Sequence, residues 1–320
     1  MIAKSRAETE RDLHDLVETF FRSTFSTDNP IITEAVKRML AAGGKRLRPR
    51  ITLLSSAACG GNPVDHLHLA AYMELIHVAT LIHDDVVDNA QTRRGVNATA
   101  VDYGNRVSVL AGDYLFAWIF KNVTATYRPP VPHILSATLA DICDGEVLQL
   151  RAMGQLDLNR EAYVEIARKK TASLFAASAE CGAIVGDGSP ASVAALREYG
   201  EHFGVAFQMK DDLLDMTADE RSLGKPVGND LTERKVTIPL IEALAGGDGN
   251  FRTEVGRFYD GTANDAIGSI VAGIDTNGGL RGTRTRIAEF VHRAKQALEP
   301  LPKGTAKNEL LDLADALLAE

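Results

Sequence analysis

Apolar residues recur at helical spacing along almost the whole chain. One such stripe covers residues 13–21 and another covers 32–40, and steps of three and four residues place each stripe on one face of a helix. Apolar and polar residues rarely alternate over five or more positions, the pattern that would indicate a half-buried strand. The pattern breaks at turn sequences such as 60–63 and 246–250, and no low-complexity linker divides the chain. The sequence therefore predicts an all-α protein with ten or more helices, forming a single domain over residues 1–320.

Composition and charge exclude several classes of protein. With 45% hydrophobic and 24% charged residues, the chain is neither disordered nor collagen-like. The net charge of −8 provides no overall basic field for nucleic acid. Three well-separated cysteines argue against a disulfide framework and a cysteine-based zinc site. We expect no transmembrane segment, because every long apolar stretch is interrupted by charge. The charged N-terminus lacks a signal core, so we also expect a cytoplasmic location.

Two copies of the pattern Asp-Asp-x-x-Asp lie inside apolar helical stretches. The first consists of Asp84, Asp85 and Asp88, and the second of Asp211, Asp212 and Asp215. On a helix, the first and last carboxylates of each copy stand one turn apart on the same face. Carboxylates about 4 Å apart repel by roughly 4 kcal/mol at an effective dielectric near 20, so they need protons or cations. Oxygen ligands of this kind favour Mg²⁺ or Mn²⁺. A solvated helix face would explain one copy more readily than two.

Basic side chains accompany both aspartate clusters. They are found in Gly43-Gly-Lys-Arg-Leu-Arg-Pro-Arg50, in Arg93-Arg94-Gly95, in Arg168-Lys-Lys-Thr171, in Gly224-Lys-Pro226 and at Lys235. Lys and Arg suit phosphate oxygens, although each segment alone can equally be a charged surface. Together with paired carboxylates they predict a diphosphate–magnesium site. The glycine patterns of a P-loop or a Rossmann site are missing from the sequence.

The motifs, and their order along the chain, resemble those of the trans-isoprenyl (polyprenyl) diphosphate synthases. The resemblance covers most of the chain and also includes Leu110-Ala-Gly-Asp-Tyr-Leu115, Gly145-Glu146 with Gln149, Phe207-Gln208 and Gly224-Lys-Pro-Val-Gly-Asn-Asp-Leu231. It implies an isoprenoid-synthase fold of mostly antiparallel helices around a deep central cavity, with the two aspartate motifs facing each other across its mouth.

The resemblance also implies a role for each motif residue. The implied magnesium ligands are Asp84, Asp85, Asp88, Asp211 and Asp215, with Asp212 behind them. Contacts to the allylic diphosphate or its metals are implied for Arg93, Lys170, Thr171, Gln208, Lys225 and Lys235. Contacts to isopentenyl diphosphate are implied for Lys45, Arg48, His77 and Arg94. The six aspartates and Lys170 form the implied catalytic set, with three Mg²⁺ ions per active site and Mn²⁺ as an alternative ion.

The implied reaction is the chain-elongating condensation of isopentenyl diphosphate with an allylic diphosphate. Metal ions and cations stabilise charge on the departing diphosphate, the isopentenyl double bond attacks the allylic cation, and a proton is lost. Three departures from the family pattern concern loop closure and the C-terminal contact: Val96-Asn-Ala98 replaces x-Pro-Thr, Arg234 replaces Gly, and the C-terminus is not basic.

Product length is the least determined part of this hypothesis. In the family, the residues one turn before the first motif set the depth of the cavity, and here they are the small Ala79 and Thr80, with Ile76 deeper. We therefore expect an all-trans product of C30 or longer. Geranylgeranyl or farnesyl diphosphate is the alternative, if Phe116, Trp118 or Phe120 forms a floor.

Three other functions fit the sequence less well. A His-Asp phosphohydrolase would leave the second aspartate motif unexplained. A terpene cyclase would need Asn-Asp-x-x-Ser-x-x-x-Glu, which does not follow Asn229-Asp230. A non-catalytic subunit of a heteromeric synthase would be expected to have lost motif residues. By resemblance we expect a homodimer, or a heteromer with a small subunit, that does not bind nucleic acid.

Overall fold

The computed structural model of the chain describes residues 15, 17–20, 25, 27–93, 95–217, 227–263 and 265–319. Within these ranges it contains fifteen α-helices, a π-helical turn and a two-stranded antiparallel ribbon. This confirms the predicted all-α class. None of the helices in these ranges is both long enough and apolar enough to cross a membrane.

The helices of the first half of the chain are α1 Pro30–Ala41, α2 Leu47–Ala58, α3 Leu67–Val87, α4 Thr99–Tyr103, α5 Asn105–Thr126, α6 Val131–Ala152 and α7 Arg160–Ala167. They are followed by the π-helical turn Arg168–Ala172 and by α8 Ser173–Val185, α9 Pro190–Thr217, α10 Asn229–Thr232, α11 Ile238–Gly246, α12 Gly249–Tyr259, α13 Ile267–Thr276, α14 Gly279–Ala297 and α15 Thr305–Asp315. The ribbon pairs β1 Thr92–Arg93 with β2 Val96–Asn97.

The chain divides into two compact units. The first unit consists of Met1–Ser136, Ala177–Leu196 and Leu301–Lys307. The second consists of Ala137–Ala176, Arg197–Pro300 and Asn308–Glu320. The expectation of a single domain over 1–320 stays a prediction.

Helix α3 forms the core of the first unit. Every residue from 69 to 76 is buried, as are Val78, Ala79 and Ile82, because the helix is apolar on most of its faces. Helices α2 and α5 pack against it. The first aspartate motif lies at the C-terminal end of α3, so the burial of this helix fixes where the motif stands.

The connection from α1 to α2 follows local sequence signals. Asn29 caps α1 by accepting hydrogen bonds from the backbone N–H groups of Ile31 and Ile32, and Pro30 occupies the first turn. After α1, Gly43 and Gly44 take φ values of 80° and 151°, which residues with a side chain rarely adopt. A tight loop over residues 43–46 therefore separates the two helices.

An aromatic cluster fixes the core of the second unit. The ring of Phe175 lies 5.2 Å from that of Phe203 and 5.3 Å from that of Phe207, measured between centroids. Aromatic rings at this spacing combine a large buried area with favourable ring-edge geometry. The cluster holds the C-terminal half of α9, where the second aspartate motif lies.

Candidate active site

The first aspartate motif straddles the end of α3. Asp84 and Asp85 belong to the last turn, whereas Asp88 is the cap residue, with its backbone N–H donating to the Asp84 carbonyl over 2.8 Å. Asp84 and Asp88 are partly exposed, but Asp85 is fully buried. The three aspartates therefore have two different environments, which their pattern in the sequence does not distinguish.

The buried Asp85 carboxylate holds Arg93. The Nε and Nη2 atoms of Arg93 each lie 2.6 Å from Asp85 Oδ1, and Arg93 is paired opposite Val96 in the ribbon. A buried carboxylate that accepts a two-nitrogen contact from arginine is a strong, directional partner. The observed geometry thus has Asp85 positioning Arg93, while the metal role of Asp85 stays a prediction.

His83 connects the first motif to α5. Its Nε2 lies 3.1 Å from the Val109 carbonyl oxygen and 3.4 Å from Asp113 Oδ1. Because both neighbours are acceptors, Nε2 is the nitrogen that donates. The ring occupies the space left by Gly112, where a Cβ would lie 2.2 Å from Nε2. This explains the glycine of the Leu110-to-Leu115 motif, a role that sequence reasoning missed.

The predicted isopentenyl diphosphate residues lie in the first unit. Lys45 is exposed in the loop after α1, Arg48 is buried in the first turn of α2, and His77 is half-buried on α3. His77 also accepts a hydrogen bond at its carbonyl from the Thr80 hydroxyl, over 2.8 Å. The fourth predicted contact, Arg94, lies outside the described residues.

The second aspartate motif lies in the last turns of α9. Asp211 is exposed, Asp215 is partly buried and Asp212 is buried. Tyr163 Oη donates to Asp212 Oδ2 over 2.5 Å, and Gln208 Nε2 donates to Asp212 Oδ1 over 2.8 Å. Burial, partly offset by these two hydrogen bonds, raises the pKa of Asp212 to about 7.

The hydrogen-bond chain continues to the predicted diphosphate contacts. Thr171 Oγ1 donates to Gln208 Oε1 over 2.7 Å, so Asp212 orders Thr171 through Gln208. At the other end, burial and the neighbouring Asp212 raise the pKa of Tyr163 well above its usual range, which keeps it a donor. Both oxygens of Asp212 therefore have protein donors, and its predicted position behind the metal ligands stays a prediction.

Lys170 and Thr171 lie in the π-helical turn between α7 and α8. Such wide turns often occur at functional sites because they displace side chains from the regular helical path. Gly145 of α6 lies directly against this turn, since a Cβ there would be 2.5 Å from the Lys170 backbone nitrogen. Lys170 forms an ion pair with Glu146. Gly145 and Glu146, present in the sequence motif, thus bind the turn that carries the basic group.

Asp230 joins the second motif and was not among the predicted metal ligands. Its backbone N–H donates to Asp215 Oδ2 over 3.1 Å, and its carbonyl accepts from the Lys235 N–H over 2.8 Å. Burial and the charges of Asp212 and Asp215 raise its pKa. Lys235 Nζ lies 2.6 Å from Glu233. The Asn229-Asp230 sequence was a usable signal, while Lys225 lies outside the described residues.

The donor chemistry of both motifs fits a magnesium ion. In the described ranges no group of three or more His, Cys, Asp or Glu side chains is arranged to hold a metal. Mg²⁺ is usually held by one or two carboxylates together with water and substrate phosphates. Burial, together with neighbouring carboxylates, raises the pKa of Asp212 and Asp230, and a divalent cation beside them would favour their charged forms.

The polyprenyl synthetase family profile matches residues 29–272. The chain belongs to the polyprenyl synthetase family. This confirms the predicted family and the predicted class of prenyltransferase. Magnesium dependence is general in this family.

Individual relatives cover nearly the whole chain. A short chain isoprenyl diphosphate synthase from Methanothermobacter thermautotrophicus is 36% identical, over 96% of this chain and 96% of the relative. A decaprenyl diphosphate synthase structure from Rhodobacter capsulatus is 38% identical, with a TM-score of 0.90 over 98% of this chain and 97% of that one. A Caulobacter crescentus polyprenyl synthase, complexed with calcium and isoprenyl diphosphate, is 35% identical with a TM-score of 0.90 over 98% and 95%. Similarity alone therefore does not decide product length.

The chain-length residues predicted for a family member lie on α3. Ile76 and Ala79 are fully buried, and Thr80 is half-buried. Further toward the start of α3, the ring of Tyr72 lies 6.0 Å from that of Trp118. Trp118 was one of the side chains considered as a floor. The roles of these residues stay predictions.

Proposed function

We propose that this chain condenses isopentenyl diphosphate with an allylic diphosphate and releases an all-trans polyprenyl diphosphate of C30 or longer. The observation that carries this proposal is that each aspartate motif is built into an ordered set of basic and polar groups. Arg93 is bound to the first motif through Asp85, and Thr171 and Gln208 are bound to the second through Asp212.

The partly exposed aspartates are the best candidates for magnesium. Asp84 and Asp88 in the first motif, and Asp211 and Asp215 in the second, retain carboxylates at the surface of their helices. We assign Asp85 to the same site through Arg93. Three Mg²⁺ ions, or Mn²⁺ in their place, would stabilise the negative charge that develops on the departing diphosphate.

Two lysines of the second unit are held in place by carboxylates. Lys170 pairs with Glu146, and Lys235 pairs with Glu233 at 2.6 Å. A diphosphate carries more charge than one carboxylate, so it can replace each glutamate as the partner of its lysine. The glutamates thus keep the cations ordered until the allylic diphosphate, contacted also by Arg93, Thr171, Gln208 and Lys225, binds.

The isopentenyl diphosphate site is assigned to Lys45, Arg48, His77 and Arg94. With the substrate fixed there, its double bond attacks the allylic carbon: the new C–C bond forms, the C–O bond to the first diphosphate breaks, and a proton leaves to the released diphosphate. No protein nucleophile is needed. The positively charged side chains hold both diphosphates in orientation, and positioning of this kind accounts for much of the rate.

The small and aliphatic side chains of α3 that precede the first aspartate motif favour long products. Ala79 is small and Ile76 lies one turn deeper. Of the aromatic residues considered as a floor, Phe116 lies against His83, and Trp118 lies against Tyr72 further toward the start of α3. Twelve residues of helix separate Tyr72 from Asp84, about 18 Å at 1.5 Å per residue. We therefore assign Ala79, Thr80 and Ile76 to chain-length control. Geranylgeranyl or farnesyl diphosphate remains the alternative product if the chain is stopped earlier.

Exposed apolar side chains on α5 favour a homodimer. Helix α5 presents Leu110, 61% exposed, together with Val109 and Tyr114. Exposed apolar side chains grouped on one helix are typical of protein–protein contacts. Sedimentation of the purified chain distinguishes a dimer from a monomer that needs a small partner subunit. The cytoplasmic location is proposed with it, and cell fractionation tests that.

The decisive experiment incubates the purified chain with Mg²⁺, isopentenyl diphosphate and farnesyl diphosphate, and measures product length by mass spectrometry of the dephosphorylated alcohols. We expect products of C30 or longer, and a loss of at least about a hundredfold in rate for Asp84→Ala. Asp275→Ala, at an exposed position of α13 outside both motifs, is the control. Products that stop at C20 would retain the reaction and refute the long-chain proposal. Absence of product, even after addition of cell extract, would refute the reaction.

A further inference from the structure

Arg46 behaves differently from its basic neighbours Lys45 and Arg48. Its guanidinium is buried and donates to three separate acceptors. Nε lies 2.5 Å from Glu18 Oε1, Nη1 lies 2.9 Å from Glu74 Oε1, and Nη2 lies 2.7 Å from the Leu40 carbonyl oxygen. One side chain thus joins the end of α1, the helix α3 and the segment before α1.

The backbone of Arg46 is as specific as its side chain. Its φ and ψ are 46° and 39°, in the left-handed region that residues with a Cβ disfavour. Its carbonyl accepts from the Arg50 N–H over 3.2 Å and so begins α2. The buried hydrogen bonds of the guanidinium hold the residue in this unusual conformation. Lys45, the preceding residue, is exposed, and the loop that carries it is anchored through Arg46.

Glu74 connects this loop to α3, the helix that ends in the first aspartate motif. It is buried on α3 with a side-chain exposure of 3%. His77 lies three residues further along the same helix, and Asp84 lies at its end. Residues three apart share a helix face. The Arg46–Glu74 ion pair therefore fixes the loop of Lys45 relative to His77, two of the side chains assigned to isopentenyl diphosphate.

We propose that Arg46 is a positioning residue for isopentenyl diphosphate: the Glu18–Arg46–Glu74 bridge orients Lys45 and Arg48 toward His77. This inference rests on the proposed function. It predicts an effect on one substrate, because Glu18, Glu74 and Leu40, which hold Arg46, lie in the same unit as the residues assigned to isopentenyl diphosphate.

The test is Arg46→Lys, which keeps the positive charge but removes the planar guanidinium and its several N–H donors. The matched control is Arg160→Lys in the second unit, where Arg160 makes a two-nitrogen contact with the buried Glu242 at 2.6 and 2.8 Å. Arg46→Lys weakens a buried ion pair and should lower thermal stability. Arg160→Lys weakens a part-buried pair, in which the Arg160 side chain is 41% exposed, and should lower it less. Only Arg46→Lys should raise the KM for isopentenyl diphosphate, by about tenfold, with the KM for farnesyl diphosphate unchanged. If Arg46→Lys does not fold, Glu74→Gln takes its place.

Calorimetric titration of each variant with isopentenyl diphosphate separates binding from turnover. An active wild-type enzyme with equal isopentenyl diphosphate affinity in wild type and Arg46→Lys would overturn this inference alone. Equal loss of affinity for both substrates in Arg46→Lys would make its role structural and would also overturn it. A wild-type chain that neither binds nor converts isopentenyl diphosphate would overturn the proposed function and this inference with it.

Discussion

Substitution of Gly112 by alanine should displace the first aspartate motif, although Gly112 is not part of it. Gly112 lies on α5 beneath the ring of His83, the residue that immediately precedes Asp84. A Cβ at Gly112 would lie 2.2 Å from His83 Nε2 and 2.6 Å from Cδ2. The same helix also holds the ring through the Val109 carbonyl and Asp113, both near His83 Nε2. The added methyl group and the ring cannot both keep their positions.

The size of the effect follows from this contact. Ordinary van der Waals contact begins near 3.4 Å, so the ring or α3 has to move by about 1.2 Å. Overpacking of this kind costs about 1–3 kcal/mol, and loss of the His83–Val109 hydrogen bond costs about 1 kcal/mol more. Because alanine has a better helix propensity than glycine, it offsets up to about 1 kcal/mol of this destabilisation. We expect a net loss of about 1–3 kcal/mol in the free energy of unfolding. We also expect kcat/KM to fall about tenfold to a hundredfold, because Asp84 moves with His83.

The measurement combines thermal unfolding with product formation from farnesyl and isopentenyl diphosphates. Gly268→Ala is the control, since Gly268 lies in α13 and a Cβ there meets no atom within 4 Å; it should leave activity unchanged. In a His83→Ala background the ring is absent, so Gly112→Ala should cost little further stability. Wild-type activity and stability in Gly112→Ala would refute the argument. The same stability loss with and without the His83 ring would also refute it.

Two other substitutions test the site. Burial raises the pKa of Asp212 to about 7, above the value of about 4 in an unfolded chain, so the metal-free protein should lose stability as the pH rises through this interval. Tyr163→Phe removes a donor to the carboxylate and should move that loss to higher pH, measured by thermal unfolding in chelator; an unmoved pH profile would contradict the assigned role. Ala79→Phe adds a ring at a buried position of α3 and should shorten products to C15–C20, as seen by mass spectrometry, whereas unchanged products would exclude Ala79 from chain-length control.

Much of the fold could be predicted from local patterns. The helical spacing of apolar residues predicts helices wherever long stripes occur, and α3 is buried because it is apolar on most faces. The start of α1 follows from Asn29 and Pro30, whose capping chemistry needs no distant partner. The π-helical turn at Arg168–Ala172 had no such local signal, and the residue packed against it, Gly145, belongs to another helix.

The candidate site divides in the same way. Motif spacing placed the first and last aspartates of each cluster on one helix face, and it placed basic residues after them. It could not separate Asp85 from Asp84, or Asp212 from Asp211, because neighbours in sequence differ only in the direction of their side chains. The structure buries Asp85 and Asp212 and gives them Arg93 and Tyr163 as partners.

Residue type and spacing along the chain are enough to predict the helical class, the two acidic clusters and the family resemblance. Which charged groups are exposed and which are bound inside the protein depends instead on how the helices pack. Lys45 and Arg46 are adjacent and equally basic in the sequence, yet one is exposed and the other is enclosed by Glu18, Glu74 and the Leu40 carbonyl. Burial and pairing are contributed by residues distant in sequence, and these set the electrostatic role of each group.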